Sequence, residues 1–191
     1  LGVTERMRAD GTVSTELDET QLRVLVTRLK RAKVSSVAVC YLHSYANSAH
    51  EQRTRDILGE LMPDAYVSLS SEVLPQIKEY QRVSTTAVNA YVGPLIRVYL
   101  LDLQARLRTA GYTHPVLVML SHGGVAPIEE AVRIAAATVL SGPAGGLAGA
   151  GRVAQALGVP DLVPLDMGGT STDISLVVGG EVALSSDRAI A

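Results

Sequence analysis

Apolar positions in this chain recur in two rhythms, and the order in which the rhythms follow one another predicts a protein of alternating strands and helices. After a turn at Asp10-Gly11, Leu22, Leu25, Val26 and Leu29 fall at i, i+3, i+4 and i+7, the stripe of an amphipathic helix. Residues 34–42 form a nearly unbroken apolar run of strand length, the pattern of a strand covered on both faces as in a parallel sheet. The next helix is announced by NSAHE, where Ser48 is placed to cap exposed N–H groups and Glu51, three residues on, to reach back in a capping box. That helix is expected to end near Leu61, before Pro63, and residues 65–73 read as another strand. A long helical stretch over 79–110 follows, with Ile96, Tyr99, Leu100, Leu103 and Leu107 on its apolar face. Pro94 is expected to divide it, because proline removes a hydrogen bond and clashes with the preceding turn, and Gly111 to cap its C-terminus.

Beyond Gly111 the texture changes toward small residues. Residues 115–120 read as an apolar strand ending in SHGG, and 128–135 as a short helix. SGPAGGLAGAGRVAQALG reads as a glycine-rich turn feeding a helix of small side chains, which allow close approach of a backbone. Residues 161–166 read as a strand, and ISLVV, Gly179-Gly180, EVAL as a hairpin whose Gly-Gly pair supplies the positive φ angles of a type I′ turn. Strands alternating with helices predict α/β layers.

Composition narrows the function classes. At 191 residues and 47% hydrophobic content the chain can bury a sizeable core and is not disordered. Seventeen basic residues are interspersed with nineteen acidic ones for a net charge of −2, so no footprint for nucleic acid or a membrane surface is visible. The single cysteine, Cys40, lies inside an apolar run and reads as a small buried hydrophobe rather than a reactive thiol. No run approaches the roughly 18 apolar residues of a membrane span. The expected compartment is the cytoplasm, and a start at Leu1 without an initiator Met leads us to expect a piece of a longer chain.

The chemistry concentrates in DMGGTSTDISL, 166–176. If the flanking apolar stretches are antiparallel strands, GGTST is the bend between them. Gly168 and Gly169 leave backbone N–H groups unobstructed toward phosphate oxygens, and Thr170, Ser171 and Thr172 add hydroxyl donors. Asp166 and Asp173 bracket the turn as hard oxygen ligands suited to Mg²⁺, held mostly through water. On spacing alone, a tight hairpin with polar decoration remains the alternative. The four histidines and single cysteine show no zinc-ligand spacing, and His122 in SHGG reads either as a residue facing a cleft or as a polar turn residue.

DMGGTSTDISLVVGGEV resembles the phosphate-binding hairpin of the hydantoinase A/5-oxoprolinase family, within the actin, sugar-kinase and heat-shock-chaperone ATPase superfamily. VAVCYLHSYANSAHEQR, SLSSEVLPQIKEYQRVSTTAVNAYV and VLSGPAGGLAGA are similar to further segments of that family, in the same order. The resemblance implies an α/β fragment of a two-half actin-like (ribonuclease H-like) fold with alternating strands and helices and a C-terminal β-hairpin. It divides the chain into 1–135, the latter part of the first half with its long helices, 136–160, a glycine-rich hinge and connecting helix, and 161–191, the start of the second half. It implies ATP and Mg²⁺, with Asp166 orienting metal-bound water and Asp173 positioning the attacking group or a second water, roles the two can exchange. Ser141 and Gly145 either face an anion at a helix N-terminus or let helices or domains approach closely.

The activity implied is ATP-driven ring opening of a cyclic amide such as a hydantoin or 5-oxoproline. Alternatives are the ATP-binding subunit of a ketone carboxylase and a nucleotide-switched activator ATPase. The implied partners are the rest of the parent subunit, a second hydantoinase B-like subunit and a small cyclic amide, with no nucleic acid or membrane. A second phosphate turn and the adenosine-binding segments are expected outside these residues, so the stretch alone is expected to be inactive.

Overall fold

The computed structural model describes residues 1–169 and 172–182, and the chain divides into two compact units. The first contains Leu1–Val116 and Ile128–Ala136; the second contains Leu117–Pro127 and the residues from Ala137 onward.

The first unit begins with a hairpin of β1 (Arg6–Met7) and β2 (Val13–Thr15). Gly11 takes a positive φ of 82° in its turn, and Asp10 Oδ1 accepts from the Thr12 N–H at 2.9 Å. Helix α1 (Glu19–Arg31) starts where the Asp18 carboxylate accepts from the Gln21 N–H at 2.9 Å, a side-chain N-cap. Strand β3 (Ser36–Val39), helix α2 (Ala49–Leu61) and strand β4 (Tyr66–Leu69) make a βαβ unit, with Ser36 opposite Tyr66 and Val39 opposite Leu69 in parallel register. The period of two sorts the strand side chains. Val37, Val39, Val67 and Leu69 join Leu22, Val26, Ile57, Leu58 and Met62 in the apolar core beneath α1 and α2. Ser36 and Ser68 point the other way and hydrogen-bond to the long helix α4 (Glu79–Thr109).

Four expectations are corrected here. Both strands are four residues long, Ala38 is exposed, and 70–73 coil into the short helix α3 (Ser70–Val73) instead of extending β4. Ser48 makes no side-chain cap; Asn47 Oδ1 accepts from the Ala49 N–H at 3.0 Å, and Glu51 turns into the interior. Pro94 does not divide α4. A proline at 94 cannot donate to the carbonyl four residues earlier, that of Ala90, and Ser36 Oγ donates to that carbonyl at 2.5 Å, so the ladder is mended from the sheet. Finally, of the expected apolar face of α4 only Leu100 is buried, and Tyr99 is exposed. The C-terminal cap is as expected: Gly111 has φ 89°, its N–H bonds to Arg108 O at 3.0 Å, and the Tyr112 N–H bonds to Leu107 O at 2.9 Å, a Schellman pair. Helix α5 (Ile128–Arg133) packs on α4, burying Ile128 and Ala131.

In the second unit β5 (Leu117–Met119) and β6 (Val125–Pro127) pair antiparallel through SHGG. SGPAGG is not a turn before a helix but the beginning of one, α6 (Ser141–Leu157), entered from Leu140 in a left-handed conformation and closed by Gly158 at φ 68°. The expected strand at 161–166 is displaced to β7 (Leu165–Met167), which pairs antiparallel with β8 (Thr172–Ile174). β9 (Val177–Val178) and β10 (Glu181–Val182) form the Gly-Gly hairpin, with φ of 62° and 81° at Gly179 and Gly180, the two positive values a type I′ turn needs. The molecule is thus a mixed helix and strand protein. Among the described residues no helix is long and apolar enough to cross a membrane.

Candidate functional site

The β7–β8 hairpin sets its two aspartates by register. Leu165 lies opposite Ile174, Asp166 opposite Asp173 and Met167 opposite Thr172. Directly opposed residues of an antiparallel pair share a face, so both carboxylates stand on one side of the hairpin at the mouth of its turn. Like charges so placed disfavour the pairing, while a cation or hydrogen-bond donors between them favour it. Gly169 has open space where a side chain would project. Gly168 sits beside it, Thr172 is the first residue of β8, and Thr170 and Ser171 lie outside the described residues.

A methyl group on Gly145 would stand 3.4 Å from Met119 Cγ, so this position of α6 lies against β5. A methyl group on Gly146 would stand 3.7 Å from Asp166 Oδ2, which places the early turns of α6 beside the hairpin carboxylate. Gly146 was not singled out by spacing; only the packing of α6 on β7 reveals it. Ser141 is the first residue of α6. His122 lies in the β5–β6 turn, where its Nδ1 accepts from the Gly124 N–H at 3.1 Å, the geometry of a polar turn residue. A cleft of about 630 Å³ lies farther along α6, lined by Arg152, Gln155, Pro160 and the Gly179-Gly180 turn.

Among the described residues no group of three or more His, Cys, Asp and Glu could hold a metal ion directly. Two opposed carboxylates are nevertheless the donor set that a strongly hydrated Mg²⁺ uses, since that ion keeps most of its waters. Among the described residues these two carboxylates therefore fit an ion held mainly through water.

The first unit holds a second polar constellation that periodicity did not reveal. Glu51, with 0% of its surface exposed, accepts from the Tyr41 N–H at 2.9 Å, the Ser70 hydroxyl at 2.6 Å and the Ser71 N–H at 2.8 Å, just past the C-terminal ends of β3 and β4. Arg82 donates to Tyr41 O at 2.8 Å and Gln76 O at 3.2 Å, and its guanidinium lies over the Tyr45 ring at 5.5 Å. Asn89 donates to Ser68 Oγ at 2.9 Å and Arg133 O at 3.1 Å and accepts from the Ala136 N–H at 2.8 Å, tying α4, β4 and the end of α5 together. Burial pushes the Cys40 thiol above its ordinary value, against the lowering effect of Thr86, as suits an unreactive half-buried cysteine. The signal available in sequence was Arg82, Thr86, Asn89 and Gly93 at i, i+4, i+7 and i+11: a polar helical stripe that faces inward.

Two family models cover most of the chain: Hydantoinase/oxoprolinase over residues 82–191 and Hydantoinase/oxoprolinase N-terminal region over residues 1–62. The chain belongs to the hydantoinase/oxoprolinase family. It is 36% identical over 182 residues to caprolactamase subunit alpha of Pseudomonas jessenii, spanning 95% of this chain and 26% of that protein. It is 37% identical over 160 residues to 5-oxoprolinase of Saccharomyces cerevisiae, spanning 83% of this chain and 12% of that one. A nucleotide-free structure of acetone carboxylase superposes with a TM-score of 0.86 at 32% identity, over 99% of this chain and 27% of that chain. The crystal structure of the ATP-dependent caprolactamase from Pseudomonas jessenii does so with a TM-score of 0.77 at 33% identity, over 91% and 25%. The chain thus spans about a quarter of the caprolactamase subunit.

Proposed function

We propose that the intact protein is an ATP-dependent hydrolase of cyclic amides, opening rings of the hydantoin, lactam or 5-oxoproline type, and that 166–173 form one of its phosphate-binding turns. The observation that carries this reading is the register of Asp166 against Asp173 across a glycine turn, with the Asp166 carboxylate beside the early turns of α6. The names of its relatives supply the reaction class: ATP-dependent caprolactamase and 5-oxoprolinase.

In this reading the γ-phosphoryl group passes to the amide oxygen, which makes the ring carbon electrophilic. Water adds there, the C–N bond breaks with its electron pair and a proton going to nitrogen, and hydrolysis of the acyl phosphate leaves the ring-opened acid, ADP and phosphate. The chain contributes positioning and charge. Backbone N–H groups of Gly168 and Gly169 and the hydroxyls of Thr170, Ser171 and Thr172 donate to phosphate oxygens, while Asp166 orients water and Asp173 supports it. Mg²⁺ held through water by Asp166 and Asp173 would neutralise phosphate charge. Ser141 and Gly145, in the first turns of α6, either face the anion or serve close packing, and the nearness of Gly145 to Met119 supports packing at that position.

Within the family's actin-like architecture, residues 1–135 are the latter part of the first half, 136–160 the hinge and connecting helix, and 161–191 the start of the second. The division into two compact units after Ala136 supports a two-half reading, with the hairpin Leu117–Pro127 grouped with the second unit. A companion subunit of hydantoinase B type and a cytoplasmic location complete the proposal. The acetone carboxylase superposition favours ATP-driven carboxylation of a ketone as the second reading. Product analysis separates them: ring-opened acid formed in step with ADP supports the hydrolase, and bicarbonate-dependent carboxylate formation supports the carboxylase.

Asp166→Asn in the intact protein is expected to lower substrate-dependent phosphate release about 100-fold or more, equivalent to about 3 kcal/mol of transition-state stabilisation. The melting temperature should stay within about 2 °C, since an exposed carboxylate is replaced by an isosteric amide. Asp173→Asn should impair turnover less. Near-normal turnover in Asp166→Asn would remove this carboxylate from the chemistry.

A further inference from the structure

His50 is a buried titratable group that the ring-opening reading does not use. It stands in the first turn of α2, and its two ring nitrogens face two carboxylates that flank the β1–β2 hairpin. Nδ1 lies 3.0 Å from Glu5 Oε2, just before β1, and Nε2 lies 3.8 Å from Glu16 Oε2, just after β2. The Glu5 side chain is only 7% exposed, whereas that of Glu16 is 89% exposed. His50 Nε2 is sealed from solvent and has no hydrogen-bond partner among the described residues. A neutral ring that donates from Nδ1 to Glu5 therefore leaves two debts: a buried carboxylate with no countercharge, and a sealed Nε2 lone pair aimed at a second carboxylate. An imidazolium meets both, because it neutralises Glu5 and turns Nε2 into an N–H directed at Glu16.

We propose that His50 is a pH-sensitive clasp, which as an imidazolium holds the N-terminal segment 1–17 on α2 and on losing its proton loosens that segment. The neighbouring groups do not supply the missing charge. Arg53, three residues on along α2, donates to both oxygens of Glu19 on α1, and Arg6 and Arg8 of the hairpin are exposed. Glu51 is turned toward Tyr41, Ser70 and Ser71, and the Tyr41 hydroxyl is neutral and paired with Thr54. The positive end of the α2 dipole opposes a cation at this place, but it is a partial charge against two full ones. Other ties do not change with pH near neutrality: Asn47 Nδ2 donates to Gly11 O at 2.9 Å, the Thr4 N–H donates to Gln21 Oε1 at 2.6 Å, and Met7 is buried. The segment is thus loosened, not released. Because the folded state favours the charged ring, the stabilisation is complete in mild acid and is lost as the pH rises past neutrality. This inference is independent of the ring-opening reading.

The test is hydrogen–deuterium exchange of the intact protein, read by mass spectrometry at about pH 6 and about pH 8.5, on either side of the ordinary histidine range, with labelling times scaled for the intrinsic exchange rate. Protection of peptides from 1–17 should fall at least about fivefold between the two conditions, while peptides from the middle of α4 stay unchanged. His50→Gln keeps a donor for Glu5 without the charge, so protection of 1–17 should be low at both pH values and no longer depend on pH. Glu5→Gln removes the buried charge from the other side and serves if the His50 variant fails to fold; its pH dependence should shrink to the small contribution of the exposed Glu16. Equal protection of 1–17 at the two pH values in the parent protein would overturn the proposal. A pH dependence that survives in His50→Gln, or stays undiminished in Glu5→Gln, would overturn it as well by assigning the effect to another group.

Discussion

Glu51 and Asp166 are both carboxylates at the end of a strand layer, but the molecule treats them in opposite ways. Glu51 is sealed from solvent and receives three donors from the loop after β3 and the start of α3 after β4. Asp166 is exposed, faces a second aspartate across an antiparallel pair and has a glycine, Gly146, as its helical neighbour. A carboxylate whose lone pairs are already taken by its own chain is committed to holding the chain in place. One that is accessible and set against a like charge has bonding capacity for something brought in from outside. The contrast supports the chemical role proposed for Asp166 without reference to any relative.

The largest test of that separation is Glu51→Ala. It strands the Tyr41 and Ser71 N–H groups in a buried site, while the Ser70 hydroxyl keeps Ser44 as a partner at 2.9 Å, and leaving the two N–H groups unmet costs about 3 to 4 kcal/mol in all. For a protein of this size the melting temperature should fall by roughly 10 °C. Asp166→Asn should do the reverse, removing turnover with the melting temperature nearly unchanged. The comparison breaks if calorimetric melting curves show the Glu51 variant as stable as the parent.

The same contrast explains what was legible in the sequence. The Asp166 turn could be read because its chemistry is local: two glycines, three hydroxyls and two aspartates in eight consecutive residues. Helix α1, the end of α2 at Leu61, the Gly111 cap and the Gly179-Gly180 hairpin were legible for the same reason, each being fixed by neighbours in sequence. Glu51 was misread as a capping-box partner because local spacing satisfied that pattern, while the donors that claim it come from 41 and from 70–71. Pro94 was misread as a break because the group that compensates it, Ser36, is 54 residues from Ala90. The inward polar stripe of α4 was missed because periodicity assigns the apolar face to the core, and here the sheet offers Ser36, Ser68 and the Tyr66 ring instead. Tyr66 even requires a glycine opposite it, for a methyl group on Gly93 would lie 2.2 Å from its ring.

A smaller effect sharpens the comparison by adding an acid of intermediate kind. Glu72 on α3 is partly exposed and accepts two bonds from Arg55, at 2.8 and 2.5 Å, and one from Arg133 at 3.3 Å. The Arg55 guanidinium holds its carboxyl below the ordinary glutamate value against the opposing effect of burial, and Arg133 adds to the lowering. Because the folded value is the depressed one, the stabilisation is complete above the ordinary glutamate range and is lost as the pH falls through the lowered value. Solvent screening limits it to about 1 kcal/mol. Glu72→Gln should therefore lower stability by that amount in urea melts at pH 7, with the difference closing in acid. A difference that persisted undiminished at pH 3 would show that the pair acts through packing, not charge.

The smallest expected effect concerns the mended helix, where a neutral hydroxyl does for one carbonyl what the chain's own donors do for Glu51. Ser36→Ala removes the side-chain donor to Ala90 O and should cost about 1 kcal/mol. Pro94→Ala restores an N–H four residues after Ala90, which can close the helical bond from within. If the serine acts by serving that carbonyl, its loss should cost markedly less in the Pro94→Ala background, with a coupling of about 0.5 to 1 kcal/mol across the double-mutant cycle. The cycle is measured by urea unfolding of the four variants. Equal costs in the two backgrounds would mean that Ser36 stabilises the sheet by some other contact and that α4 passes through Pro94 without its help.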